Sequence, residues 1–236
     1  MILALFPEWV EPTASYMLKT GIVFTLKISA IALVASTIIG ITLGTLITIR
    51  FRPLQWLIRL YIEVWRGLPI LITVFIVFFA LPALGIRVEL LGMKFDGRFA
   101  AWVAATIGLT LWGSAQVAEA TRGAVRSIPH EQHEAAAALG FGWIGRHAFV
   151  ILPQALRRLL PPLVSLLVNI IQNTTIAQVI GAPELLETGE RQVERLAGTP
   201  PYEIHAFEIY AAVMVVFFCI SFPLTRLAAY LERRLV

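Results

Sequence analysis

A succession of apolar stretches, each about as long as a bilayer is thick, limits what this chain can fold into. Ile28–Ile49 lies between Lys27 and Arg50, and Gly67–Ile86 between Arg66 and Arg87. Phe99–Ala118 lies between Arg98 and Glu119, and Leu159–Pro183 between Arg158 and Glu184. Ile209–Thr225 is shorter, and gains length by including Ala206 and Phe207. A helix needs roughly 20 residues to cross a hydrocarbon core ~30 Å thick. Composition agrees: the chain is 58% hydrophobic and 14% charged, whereas soluble domains carry about 25% charged residues. The expectation is an all-α integral membrane protein of about five transmembrane helices, near 20–49, 54–84, 98–121, 159–182 and 205–230. With no linker, low-complexity tract or short repeat, one transmembrane domain over 1–236 is the economical reading. The opening "MILALFPEWVEP" lacks the basic start of a cleavable signal and is interrupted by Pro7, so it is expected to be retained. Cys219 is the only cysteine, which excludes an internal disulfide.

Orientation follows from the cations, because Lys and Arg accumulate on the cytoplasmic side. Arg50, Arg52, Arg59 and Arg66 lie between the first two spans, and Arg122, Arg126, Arg146, Arg157 and Arg158 between the third and fourth. The tail adds Arg226, Arg233 and Arg234. The intervening segments are mixed (Arg87, Glu89, Lys94, Asp96, Arg98) or acidic (Glu184, Glu187, Glu190, Glu194, Glu203). The N-terminus is therefore expected outside and the C-terminus inside. This bias accounts for the net charge of +4 without invoking nucleic acid.

One cytoplasmic stretch stands apart, "HEAAAALGFGWIGRHAFVILPQAL", from His133 to Leu156. Ser127 and Pro129 mark a helix start, with Glu131 and Glu134 where the helix dipole favours acids. Ala135–Ala138 are strong helix formers with little bulk, and Gly140 can take the left-handed turn that ends a helix. A second short helix from Trp143 is expected to end before Pro153. Such an element can insert into a groove on another protein. It can equally be a plain connector, and the residues alone leave both readings open.

The spacing adds a resemblance. Glu134-Ala135-Ala136, three residues, Gly140, nine residues, Val150, one residue, Leu152-Pro153 resembles the EAA motif of ABC-importer permeases, with Val150 in place of isoleucine. "GIVFTLKISAIALVASTIIGITLG", which carries Lys27, and "YIEVWRGLPILITVFIVFFALP" look like the first two helices of the polar amino-acid uptake subfamily. "AEATRGAVRSIPHEQHEAAAALG" resembles its passage from helix three into the motif. The resemblance implies the type I ABC importer permease fold, with a cytoplasmic coupling-helix loop over 124–157 between helices three and four. It also implies the bacterial inner membrane, a second permease subunit (the same or a related chain), a cytoplasmic ABC ATPase homodimer and an extracytoplasmic solute-binding protein. The cargo would be an amino acid. On that pattern Glu134, Ala135, Ala136, Gly140, Leu152 and Pro153 would couple to the ATPase.

No catalytic residue is assigned. The lysines, Lys19, Lys27 and Lys94, are not preceded by glycine, so there is no P-loop; ATP and Mg are expected on the partner ATPase and no cofactor on this chain. An ATP-independent secondary transporter or channel is the alternative, against which the odd helix count and the EAA segment argue. A non-transporting assembly subunit is a third possibility.

Within the fourth span, Ser165, Asn169, Gln172, Asn173 and Thr174 recur at helical spacing, and polar groups at bilayer depth face a bundle interior or a wet cavity. They could hydrogen-bond between helices or, as the subfamily's translocation path implies, contact substrate. Gln172-Asn173-Thr174-Thr175 departs from the Lys-Asp-Thr-Ser common there and removes both charges. Glu119 and Arg122 match a Glu-x-x-Arg-Gly pattern and read as an i,i+3 ion pair or a gate; Arg66 reads as an interface anchor. Lys27 can snorkel to the outer face. "HEQHE" places its second histidine one residue short of a zincin motif, so no metal site is expected at His130 and His133.

Overall fold

A backbone surrounded by lipid must satisfy its own hydrogen bonds, and helices do this locally. A computed structural model of the chain describes residues 7–49, 51–80, 83, 100–200 and 202–235. They form helices α1 (Val10–Leu46), α2 (Arg52–Gly67), α3 (Ile70–Ala80), α4 (Ala101–Arg126), α5 (His130–Ala138), α6 (Trp143–Ile180), α7 (Leu185–Ala197) and α8 (Ala206–Leu235), with no strand among the described residues. The mixed loop holding Arg87, Glu89, Lys94, Asp96 and Arg98 lies outside them.

Among the described residues three helices, α1, α6 and α8, are long and apolar enough to cross a membrane, and α2 with α3 is so only as one span broken by a bend of 108°. Helix α4 has 26 residues, but Thr106, Gly108, Thr110, Ser114 and Gln116 dilute its hydropathy. Much of it is interior: Ala104, Ala105, Ala115 and Ala118 are fully buried.

The boundaries differ from expectation in three places. Helix one starts at Val10 rather than near 20, because Pro12 falls in the first turn, where the missing N–H would have no partner anyway. The expected continuous helix over 54–84 is two helices. Leu68, ahead of Pro69, is extended at φ −78°, ψ 136°, the region into which a following proline pushes its neighbour. Conversely, the second short helix does not stop before Pro153, nor does helix four begin at 159. Helix α6 runs through Pro153, Pro161 and Pro162. A π-wound turn over His147–Ile151, looser than α-helix, precedes the proline and accommodates a residue with no N–H to give.

Packing divides the chain into two compact units. In the first (Met1–Ile31, Ile70–Leu109 and Asn169–Phe222), Met17, Leu185, Ile209 and Val213 form a buried cluster. Lys27, which can snorkel to the outer face, holds Nζ 3.9 Å above the Trp102 ring. In the second (Ala32–Pro69, Thr110–Val168 and Pro223–Val236), Ile47, Ile58, Ile62 and Ala118 form one cluster and Val125, Ile128, Ile151 and Ala155 another.

Small residues set how closely α1 and α4 approach in that second unit. A Cβ on Gly40 would overlap Val117, and one on Gly44 would overlap the Ala118 carbonyl oxygen. Membrane helices lack a hydrophobic drive to associate and rely on such van der Waals contact. Gly44→Ala should therefore lower the melting temperature of the detergent-solubilised protein. An overlap of this kind costs ~1–3 kcal/mol, more than the ~0.5–1 kcal/mol that alanine gains in a helix. Gly123→Ala, where a Cβ meets nothing within 4 Å, should melt at or slightly above wild type. Equal melting of both variants would contradict the close approach.

Candidate functional site

The EAA-like residues fold as a helix, a glycine turn and a second helix. Pro129, at φ −54° and ψ 143°, occupies the cap position of α5, with no side-chain cap. Ser127, just before it, donates its hydroxyl to the Ala124 carbonyl at 2.8 Å, and Arg158 donates to its oxygens at 2.6 and 2.7 Å. Glu131 stands in the first turn, while Glu134 faces His130 Nδ1 at 3.1 Å, one turn on. Of the alanines, Ala136 is buried and Ala135 exposed.

Gly140 takes φ +83°, the left-handed conformation its position requires. Its N–H donates to the Ala137 carbonyl at 2.9 Å, and the Phe141 N–H reaches back to Ala136 at 3.1 Å. This pair of bonds is the Schellman arrangement that satisfies a helix's last carbonyls. After extended Gly142, α6 begins at Trp143. His147 pins the turn from within: it is 6% exposed, donates Nδ1–H to the Trp143 carbonyl at 2.9 Å, stacks on the Trp143 ring at 4.1 Å and faces Thr48 Oγ1 at 3.3 Å. Burial, followed by the charges of His147, Arg146 and His130, holds the His133 imidazole below its usual range. Leu152 is half-buried and Pro153 exposed. Leu139, Ile144 and Phe149 are 78%, 77% and 74% exposed, an unusual display for apolar side chains beside so firmly held a turn.

The polar residues of α6 separate. Ser165, Asn169 and Gln172 are exposed at spacings of four and three, one helical face. Asn173 is half-buried, and its Nδ2 donates to the Asn169 carbonyl at 2.8 Å. Thr174 is buried, its hydroxyl donating to the Ile171 carbonyl at 2.7 Å, and is not on that face. Arg122 binds Glu119 through two nitrogens, Nε donating at 2.8 Å. The pair lines a cavity of about 130 Å³ with Arg59, Glu63, Ile47 and Ile62. Arg66, in the last turn of α2, donates to Gln116 at 3.3 Å.

Glu184 is a group that sequence reasoning missed. Read as one acid of a wet loop, it is fully buried and caps α7, accepting from the Leu186 and Glu187 N–H groups at 2.9 and 2.8 Å. Burial pushes its carboxyl up to about 7 against the pull of those two bonds. Burial likewise raises Glu187, whose Oε1 accepts from Arg191. Little in the sequence signals this: glutamate is not among the residues favoured at a helix N-cap, and its burial is set by the packing around it.

Comparison with known proteins places this polytopic helical architecture in a class. The chain belongs to the family of binding-protein-dependent transport system inner membrane components, which matches residues 36–236. It is 36% identical to the glutamine transport system permease protein GlnP of Escherichia coli (strain K12), over 93% of each chain. It is 32% identical to the probable glutamine ABC transporter permease protein GlnM of Bacillus subtilis (strain 168), again over 93% of each. A crystal structure of an amino acid ABC transporter with histidines superimposes at TM-score 0.75, with 25% identity, over 94% of this chain and 95% of that one. The MetNI methionine transporter in inward-facing form shares the fold at TM-score 0.74 and 19% identity, over 96% of this chain and 99% of that one. The chain is thus a multi-pass inner-membrane permease subunit of the ABC type, a family whose ATPase and binding protein are separate subunits.

A carboxyl near 7 makes stability depend on pH in a definite sense. Between its ordinary 4.5 and about 7, folded Glu184 keeps a proton that the unfolded chain releases. Its contribution, on the order of 3 kcal/mol, is present below 4.5 and lost as pH rises through about 7. The melting temperature should fall from pH 5.5 to 8.5, and Glu184→Gln, with no proton to lose, should flatten that slope. A slope unchanged in the variant would remove Glu184 as its source.

Proposed function

We propose that this chain is the translocation subunit of an ATP-driven importer for a polar amino acid, coupled to its ATPase through α5 and the first turns of α6. One observation carries the reading: the Glu134-Ala135-Ala136…Gly140…Leu152-Pro153 pattern is folded as a pinned helix–turn–helix from which Leu139, Ile144 and Phe149 project. Exposed apolar tips on a rigid base are what a groove in a partner needs. Polar amino acids are the cargo because relatives over nine-tenths of the chain are named for glutamine or for glutamate and aspartate. The face of Ser165, Asn169 and Gln172 borders the path, and its lack of formal charge suits hydrogen bonding to an amino acid's polar ends.

In this reading five spans place the N-terminus outside and 124–157 in the cytoplasm, and the arginine bias supports that orientation. The permease works as a pair, of identical or related chains. ATP and Mg bind the separate ATPase homodimer, since no lysine here follows a glycine. An extracytoplasmic binding protein delivers the cargo.

Gly140→Val tests the coupling. A branched side chain in a left-handed turn is strained by about 1–2 kcal/mol, while the space around Gly140 is open, so the variant should reach the membrane at near-normal levels. It should recover little ATPase on pull-down and transport little amino acid. Wild-type transport by this variant would reduce the segment to a connector. Orientation is tested in a Cys219→Ser background. Cysteines at exposed Ala137 and Thr199 should label from opposite faces of intact cells, Thr199 from outside. Labelling of both from one side would overturn the topology.

A further inference from the structure

At the end of the first unit where α1 and α8 both begin, two neighbouring cavities share a wall. Trp9 and His205 form it, stacked at 4.2 Å with ring planes 17° apart. One cavity, about 400 Å³, is polar and holds Glu8, Arg195 and Glu203. The other, about 450 Å³, is a groove lined chiefly by apolar side chains, Val10, Ala14 and Met17 of α1 and Ile209 and Ala212 of α8 among them. Thr13, on the groove, faces the Arg195 guanidinium at 3.5 Å, so the cation stands at the junction.

The charges in the polar cavity are not matched to one another. Among the described residues, neither Arg195 nor Glu8 has a counter-ion within ion-pair distance, and Glu203 faces only His205, at 3.2 Å. A guanidinium with free donors binds phosphate, and carboxylates lining the same cavity bind a primary ammonium. Beside them Phe207, Met214, Val215 and Phe218 are 84%, 67%, 55% and 61% exposed along α8, the display of a helix bathed in acyl chains. Aromatic groups such as Trp9 and Tyr202 belong at the headgroup level of such a boundary. Cation and anions on one side of the Trp9–His205 wall and an apolar trough on the other match a single ligand chemistry.

We propose that this end of the first unit binds a zwitterionic glycerophospholipid whose headgroup bears a primary ammonium, phosphoethanolamine being the simplest. Arg195 donates to the phosphate, Glu8 and Glu203 accept from the ammonium, and one acyl chain lies in the trough between α1 and α8. The Trp9–His205 stack separates headgroup from chain. A choline headgroup has no N–H to offer the carboxylates, and a glycerol headgroup has no cation, so the site discriminates by headgroup.

Native mass spectrometry of the full transporter, taken from nanodiscs of equimolar phosphatidylethanolamine, phosphatidylcholine and phosphatidylglycerol, tests this. Wild type should retain phosphatidylethanolamine adducts in preference to the other two. Arg195→Gln, at an exposed position, should cut that retention by roughly tenfold or more, as loss of a charge-assisted hydrogen bond does. Ala212→Phe, which fills the trough from an exposed position, should remove the adduct while the headgroup residues stay intact. Unchanged melting temperatures in both variants would exclude unfolding as the cause. Equal retention of all three lipids, or adducts that survive both variants, would overturn the proposal. So would Arg195→Gln impairing capture of the extracytoplasmic binding protein while lipid retention is unchanged, since the charges would then serve a protein partner.

Discussion

Every polar group of the backbone and of the hydroxyl side chains inside a bilayer must find its partner within the protein, and this structure answers that demand mostly within each helix. Serines and threonines that look out of place in apolar runs return their protons to the preceding turn. Ser29 bonds the Thr25 carbonyl at 2.7 Å, Thr42 that of Ile38 at 2.8 Å, and Thr45 that of Ile41 at 2.7 Å. A hydroxyl so satisfied adds polarity to the sequence without adding a desolvation cost to the fold. Helices can then be packed by shape, with Gly40 and Gly44 admitting the neighbouring α4 within the second unit.

Where the chain leaves regular helix, it does so with its hydrogen bonds still accounted for. Gly140 turns the end of α5 inward on Ala136 and Ala137, and Gly181, at φ +73°, closes the end of α6 on Ala177 and Gln178 in the same manner. The two turns differ in what surrounds them. Around Gly140, exposed Leu139 and Ile144 and the His147–Trp143 stack make a firm, apolar-tipped protrusion. After Gly181, the chain enters a buried cap at Glu184. One motif thus ends a helix at an exposed, apolar-tipped turn and another at a buried cap.

Much of this was legible in the sequence, because hydropathy over some 20 residues and the EAA spacing are one-dimensional signals. The helical class, the glycine turn and the Glu119–Arg122 pair all follow from local pattern. Prolines were harder. Pro69 breaks its helix while Pro153, Pro161 and Pro162 do not, and the difference lies in the winding and packing around each. Burial is also a tertiary property. Thr174 lies one residue from the exposed polar face yet is enclosed, and Glu184 looks like any loop acid until its surroundings are known.

The consecutive prolines of α6 bear on how force travels. Pro161 and Pro162 have no N–H, so the carbonyls of Arg157 and Arg158 lose the donors that an unbroken helix would bring them. With two adjacent rungs missing from one side, bending stiffness is lowest there, within the second unit and directly beyond the contact that Arg158 makes with Ser127. The helix therefore behaves less like a rigid rod than like a lever with a compliant collar. Any bending of α6 would concentrate at these two rings, several residues before the exposed polar face of Asn169 and Gln172.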